Sequence, residues 1–278
     1  MNIGIISSGN DSLALFKMLT KHDHQYFIVH DQTHFPFGSK DTAFVAQEIK
    51  NHLQFLKTQG VEKVILDPVY ELLLREDSDE NMKEMLLPLF QKYLEHAFQY
   101  SLVGKIWILT DFASKDLVQS LVGKQAEKHQ LTTHQQGIKK FHFPFAYRVR
   151  AASARTAGIA DLGAHNPYLI RTLKNDLRFF KDASVDTILP MHYQYFRMQR
   201  TIKTFFRSGK FRFWDLSVLE KCFMALVNKE SGKWAEGGKW EYAVRIRTNQ
   251  SPEFLLKEKE LVRLLQRGKG VELQINRL

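Results

Sequence analysis

Short apolar runs and amphipathic segments alternate along the first part of the chain. The runs NIGIIS at 2–7, QYFIVHD at 25–31 and EKVILD at 62–67 predict buried strands. In SLALFKMLTKH and TAFVAQEIKNHLQFLKTQG, the apolar positions recur at the spacing of one helix face, and Gly60 is expected to end the second helix. Strands that alternate with helices predict a parallel sheet with helices on both faces.

The same alternation starts again after an acidic turn and a helix predicted at 81–100. GKIWILTD at 104–111 and VDTILP at 185–190 predict strands, and the segments 117–130 and 168–182 predict helices. The tail after residue 203 adds a helix, a candidate hairpin at 233–248, a second helix and a last strand, VELQINRL. The second start of the alternation, at the strand predicted at 104–111, places a domain boundary near residue 101.

Composition limits the class of protein. The chain has 278 residues, of which 44% are apolar and 25% charged, as expected for an ordered globular protein. Runs of about 20 apolar residues and a signal-peptide pattern are both absent from the sequence, so we expect a cytoplasmic protein without a membrane span. The single cysteine, Cys222, excludes an intramolecular disulfide, a cysteine-based zinc cluster and any two-thiol mechanism, and its helical spacing predicts a core position.

The net charge of +10 is concentrated in one segment. Residues 139–213 contain 15 Lys and Arg against four acids. Within this segment, KKFHFPFAYRVR alternates apolar and basic positions and predicts a strand with cations on one face. Three interpretations stay open: a solvated basic face, contact with a polyanion, and arginines that hold an acidic small molecule. The candidate basic surface comprises Lys139, Lys140, Arg148, Arg150, Lys203, Arg207, Lys210 and Arg212.

Polar side chains come at the ends of the predicted strands. Ser7, Asp31 and Asp67 each end one of the first three strands, and ligands of parallel α/β sheets bind beyond that edge. The eleven histidines show no metalloenzyme spacing, and the sequence has neither a phosphate-binding loop nor a dinucleotide fingerprint. We therefore expect no metal and no cofactor.

The segments IGIISSGNDSLALF, DQTHFPFGSK and VDTILPMHY, in this order, resemble the glutamate racemases of the aspartate/glutamate racemase family. In DQTHFPFGSK, the family pattern D-x-x-x-x-P-Y-G-x-K is matched except that Phe37 replaces the tyrosine. The resemblance implies two flavodoxin-like α/β lobes with parallel sheets, an interlobe cleft and a homodimer. The first lobe would comprise residues 1–100 plus 203–278, and the second residues 101–202.

The departures from the family concern its chemistry. The family moves the α-proton of glutamate with two cysteine thiols, and the resemblance places Asp67 and Met191 at those two positions. Ser7 stands where the family has an acid. A thioether has no proton to transfer, and Pro68 after Asp67 removes both an amide donor and a side chain that would hold the substrate. Two-thiol racemisation is therefore excluded by residue type.

Three functions follow as hypotheses. The first is an inactive or repurposed homologue that binds a small carboxylate ligand, or a polyanion or protein partner, through the cleft and the basic lobe. The second is an isomerase, racemase or lyase of altered chemistry that uses Asp67 and His192 as an acid/base pair. The third is nucleic-acid binding through residues 139–213. The resemblance implies a ligand site that comprises Ser8, Pro36, Phe37, Gly38, Ser39 and Tyr193.

Overall fold

The computed structural model divides the chain into two compact units, which we call unit 1 (Met1–Leu89 with Glu220–Leu278) and unit 2 (Phe90–Leu219). Each unit is built around its own parallel sheet, which confirms the predicted α/β class. No helix in the described part of the chain is both long and apolar enough to cross a membrane. The structure describes residues 1–8, 15, 18–19, 24–31, 34, 37, 40–101, 104–110, 114–135, 148–153, 166–182, 187–205, 212–213, 216–231, 244–248 and 271–274.

The sheet of unit 1 has five described strands, β1 (Asn2–Ser8), β2 (Gln25–Asp31), β3 (Lys63–Ile65), β8 (Val244–Thr248) and β9 (Val271–Gln274). Their order in the sheet is β3-β1-β2-β8-β9, and neighbouring strands are parallel. The two strands from the tail, β8 and β9, extend the sheet beside β2. The predicted strand at 62–67 is shorter than expected and ends two residues before Asp67.

A long helix of unit 1, α1 (Thr42–Thr58), buries an apolar stripe that includes Val45, Ile49, Leu53 and Leu56. The Asp41 carboxylate caps this helix, and Gly60 follows it with a positive φ of 73°. This confirms the predicted stop, because glycine adopts that conformation without strain. At Gly4 of β1, an added Cβ would lie 2.8 Å from Leu56 of α1, so the glycine permits close packing of helix on strand.

The helix predicted at 81–100 is divided in the structure into α3 (Glu80–Met85) and α4 (Leu89–Tyr100). A further helix, α2 (Pro68–Asp77), precedes them. Between α3 and α4 the Leu87 amide donates a hydrogen bond of 2.8 Å to the Val64 carbonyl of β3. Pro88 lacks an amide hydrogen and cannot continue a helix, which explains the interruption.

The sheet of unit 2 has four described strands, β4 (Lys105–Thr110), β5 (Arg148–Ser153), β6 (Thr187–Pro190) and β7 (Arg212–Phe213). Their order in the sheet is β5-β4-β6-β7, again with parallel pairings. The remaining helices are α5 (Lys115–Gln135), α6 (Pro167–Asp182), α7 (Gln199–Phe205) and α8 (Leu216–Ser231), with a 3₁₀ helix at Tyr193–Met198. Cys222 is buried, as its spacing predicted, on the part of α8 that belongs to unit 1.

Candidate functional site

Three polar residues lie at the carboxyl edge of the unit 1 sheet: Ser7 near the end of β1, Asp31 at the end of β2, and Asp67 just after β3. Ile5 of β1 pairs with Ile65 of β3, and Ser7 and Asp67 each come two residues after this pair. On the other side of β1, Ser8 pairs with Asp31, the last residue of β2. Such an edge is where parallel α/β sheets bind their ligands.

Ser7 is almost completely buried, with 1% of its surface exposed. Its hydroxyl has no hydrogen-bond partner among the residues that the structure describes. A buried hydroxyl without a partner costs free energy, so it is a candidate contact for a bound molecule.

Asp67 caps a helix. Its Oδ1 accepts a hydrogen bond of 3.2 Å from the Val69 amide, and its carbonyl accepts from the amides of Tyr70 and Glu71. Pro68 occupies the first helical position, where a missing amide hydrogen is harmless. The Asp67-Pro68 pair is therefore a helix start, and the buried carboxylate stabilises the amino end of α2.

A second buried carboxylate lies at the end of β2, bonded to two histidines. Asp31 Oδ2 lies 2.7 Å from His34 Nδ1 and 3.3 Å from His52 Nε2, while Oδ1 accepts from the His34 amide at 3.1 Å. Asp31 is fully buried and His52 nearly so, whereas the His34 side chain is 25% exposed. The Asp31, His34 and His52 cluster was not predicted as a unit from the sequence.

The hydrogen bonds of this cluster decide the charge of Asp31. Burial alone raises the pKa of the carboxyl, but the hydrogen bonds from His52 and His34 outweigh it and lower the pKa from 3.8 to about 2. Asp31 is therefore an ionised carboxylate at neutral pH. Because an ionised carboxylate only accepts hydrogen bonds, His34 Nδ1 and His52 Nε2 must both be the donors.

The loop after β2 is attached to the helix that Asp67 caps. The Tyr70 hydroxyl donates a hydrogen bond of 3.3 Å to the Phe37 carbonyl, and the two rings meet edge to face at 5.6 Å. Phe37 is buried, and Lys40 after it is exposed. Of the other predicted ligand residues, the side chain of Ser8 and all of Pro36, Gly38 and Ser39 lie outside the described residues.

The carboxyl edge of the unit 2 sheet has different chemistry. Met191 is completely buried after β6, and its amide donates to the Leu109 carbonyl at 2.8 Å. His192, also buried, precedes the 3₁₀ helix, and Tyr193 stacks on Phe196 at 6.0 Å. After β4, the hydroxyls of Thr110 and Ser114 lie 2.8 Å apart.

Asp67 lies in unit 1 and His192 in unit 2. The structure describes the surroundings of each within its own unit, so an acid/base pair between them stays a prediction. In the part of the chain that is described, no group of three His, Cys, Asp or Glu residues could hold a metal ion.

The candidate basic surface is described only in part. Lys203 is exposed on α7, and the backbones of Arg148, Arg150 and Arg212 lie in β5 and β7. Lys139, Lys140, Arg207 and Lys210 lie outside the described residues, as does most of the strand predicted at 139–150.

Solved structures with the same architecture cover nearly the whole chain. The glutamate racemase isoform RacE1 from Bacillus anthracis matches with a TM-score of 0.70 at 14% identity, over 99% of this chain and 98% of that one. The chain therefore has the glutamate racemase fold. The glutamate racemase of Francisella tularensis, solved with D-glutamate, matches at 0.68 and 15%, over 99% of this chain and 97% of that one.

A third glutamate racemase, from Aquifex pyrophilus, matches with a TM-score of 0.62 at 18% identity, over 98% of both chains. No protein-family model and no curated protein matches the sequence. At these identities the likeness establishes the glutamate racemase fold, which the turn motifs predicted, and leaves the chemistry to the residues of this chain.

Proposed function

We propose that this chain is a repurposed protein of the glutamate racemase fold, which binds a small carboxylate ligand without two-thiol racemisation. The full-length likeness to glutamate racemases supports a ligand site beyond the sheet edge of unit 1. The observation that carries the proposal is Asp67. The residue at the predicted first thiol position is a buried helix cap followed by proline.

Met191 supports the same conclusion from the other predicted thiol position. Its thioether is completely buried at the end of β6, and it has no proton to donate or accept. The residues at both predicted thiol positions thus favour packing and capping roles over proton transfer.

A ligand titration tests the proposed site through Ser7. D- and L-glutamate and D- and L-aspartate are added to the ¹⁵N-labelled protein, and amide shifts are followed together with calorimetry. We expect shifts at Ser7 and its neighbours on β1, and a Kd about two- to tenfold weaker for Ser7→Ala, because one hydrogen bond contributes about 0.5–1.5 kcal/mol.

The matched control is Ser78→Ala, at the opposite end of α2. The Ser78 hydroxyl is also buried without a hydrogen-bond partner among the described residues, but it lies away from the sheet edge. Equal losses of affinity in the two variants, or no binding of any of the four amino acids, would remove the proposal.

The alternative of altered chemistry rests on Asp67 and His192, both of which are buried. The capping hydrogen bond of Asp67 argues for a structural role. The amino acids used in the titration are also assayed for turnover. If the Asp67→Ala and His192→Ala variants each retain that turnover, this alternative fails.

A basic helix face favours polyanion contact as a second candidate function. On α6, Arg171, Lys174 and Arg178 are exposed along one side, and Tyr168 precedes them with 63% of its surface exposed. Leu169, Leu173 and Leu177 bury the opposite side. Cations beside an exposed aromatic ring suit a flexible single-stranded nucleic acid, which offers phosphates and base faces.

The salt dependence of binding to a single-stranded DNA oligonucleotide tests this second candidate. Exchanging Arg171, Lys174 and Arg178 for Gln should flatten the log–log slope by about two units, because each single-strand phosphate contact contributes roughly 0.7. Lys92→Gln, which changes an exposed lysine beside Glu95 on α4, is the control. Absence of binding at low salt would exclude this function.

A further inference from the structure

Helix α6 has one buried side and one exposed side. Leu169, Leu173 and Leu177 recur at intervals of four residues and are all buried, so they turn one face of the helix toward the core. The exposed residues, among those whose side chains the structure describes, are Pro167, Tyr168, Arg171, Lys174, Asn175 and Arg178. They carry three positive charges and no negative charge.

Tyr168 differs from the other exposed aromatic residues of the described chain. Its exposed fraction is 63%, against 46% for Phe44 and for Tyr100. The Phe44 ring contacts His34 and the Tyr100 ring contacts His96, whereas the Tyr168 ring contacts no other ring among the described residues. A single exposed ring is common on protein surfaces, so the exposure alone indicates no function. Its position beside three cations is what distinguishes Tyr168.

The backbone holds Tyr168 in the first turn of α6. Asn166 Oδ1 accepts a hydrogen bond of 2.9 Å from the Tyr168 amide, and the next residue, Leu169, is completely buried. Arg171 follows Tyr168 by three residues, so the two are neighbours on the helix surface. The segment from Tyr168 to Arg178 extends over about 15 Å of helix. A polyanion bound along the cations would therefore pass beside the ring.

The ring indicates which polyanion this surface fits. Cations alone attract any chain of negative charges, whereas an exposed aromatic ring adds affinity only for a partner with flat apolar faces. Single-stranded nucleic acids offer both, because their bases are unpaired and stack on aromatic side chains.

We propose that Tyr168 stacks on a base of a single-stranded nucleic acid whose phosphates contact the three cations of α6. This inference rests on the second candidate function and narrows its partner from polyanions in general to nucleic acids with unpaired bases. Tyr168 is then the residue that discriminates between these partners.

Single-stranded DNA oligonucleotides with and without bases test the role of the ring. The two strands have the same length and the same phosphates, but one consists of abasic sites. We expect wild type to bind the base-bearing strand about tenfold more tightly, because stacking on one aromatic side chain contributes a factor of roughly five to a hundred. Tyr168→Ala should bind both strands with the lower affinity, and Tyr168→Phe, which keeps the ring, should bind like wild type.

Tyr100→Ala is the matched control, because it removes an exposed tyrosine of α4 that contacts His96 instead. This variant should bind each strand like wild type. The salt dependence of binding should be the same for wild type and Tyr168→Ala, because the ring contacts no phosphate.

The outcomes separate this inference from the second candidate function. If the base-bearing strand binds no better than the abasic one, or if Tyr168→Ala weakens both equally, the stacking role fails while polyanion contact stands. If wild type binds neither strand at low salt, both fail together.

Discussion

The carboxyl edges of the two sheets are built from different kinds of side chain. At the unit 1 edge, Asp31 is ionised and bonded to two histidines, and Asp67 caps a helix. At the unit 2 edge, Thr110 bonds Ser114, Met191 is completely buried, and His192 is a buried imidazole. The two parallel sheets thus differ in that a buried carboxylate bonded to two histidines lies at the edge of the unit 1 sheet.

This difference concerns a single buried carboxylate, Asp31, at the unit 1 edge. An ionised group in the core is stable only when donors surround it, and Asp31 has three. The neutral pair at Thr110 requires one hydrogen bond and no charge. The two edges should therefore respond differently to mutation and to acid.

The largest expected effect comes from neutralising Asp31. Asp31→Asn places an amide against two imidazole donors, and losing hydrogen bonds to an ionised group costs about 3 kcal/mol. Hydrogen exchange of the β2 amides should quicken roughly a hundredfold, with no change on β4. Asp41→Asn, an exposed cap ten residues later that asparagine replaces well, is the control. Equal effects in the two variants would contradict the ionic role of Asp31.

Acid should also lower the stability of unit 1, because it protonates Asp31. Because the pKa of Asp31 is lowered to about 2 in the folded chain from 3.8, the unfolded chain binds more protons between these values. The stabilisation, about 2 kcal/mol, is complete above pH 3.8 and is lost as pH falls through about 2. Urea unfolding of wild type and Asp31→Asn should converge in that window. A constant difference between them would show that the charge contributes nothing.

Removing the cap at Asp67 should have a smaller effect. Asp67→Ala leaves the Val69 amide without its acceptor and should cost about 1 kcal/mol, whereas Asp67→Ser keeps a capping oxygen and most of the stability. Exchange of the α2 amides measures both. Serine as damaging as alanine would show that the carboxylate has another role at this edge.

The smallest effect is expected in unit 2. Thr110→Val removes the hydroxyl that meets Ser114 and should cost less than about 1 kcal/mol, because valine fills the same space. The loss should not vary between pH 4 and pH 2, in contrast to that of Asp31→Asn. Urea unfolding measures the loss of stability at each pH. A loss that depends on pH would remove the distinction between the two edges.

Much of the fold could be predicted from the apolar runs. The segments 2–7 and 25–31 lie within β1 (Asn2–Ser8) and β2 (Gln25–Asp31), because short buried strands end where polar turns begin. The helix predicted at 81–100 failed, because Pro88 interrupts an otherwise helical spacing. The Asp67-Pro68 pair is visible in the sequence, but its capping hydrogen bond to the Val69 amide depends on backbone geometry.

The histidine cluster could not be assembled from the sequence alone. His34 follows Asp31 by three residues, which was visible, but His52 lies 21 residues away and reaches Asp31 through the packing of α1 on the sheet. One signal was available. His52 lies on the apolar stripe formed by Val45, Ile49, Leu53 and Leu56, where a polar side chain needs a buried partner.

The central claim is that the sheet edge of unit 1 binds a small carboxylate ligand and that the chain does not catalyse two-thiol proton transfer. Exchange of the α-proton of D- and L-glutamate in deuterated water, followed by proton NMR, tests it most directly. We predict an exchange rate with the wild-type chain equal to that in buffer, and the same rate with Asp67→Ala. Exchange above the buffer rate that disappears in Asp67→Ala would contradict the account.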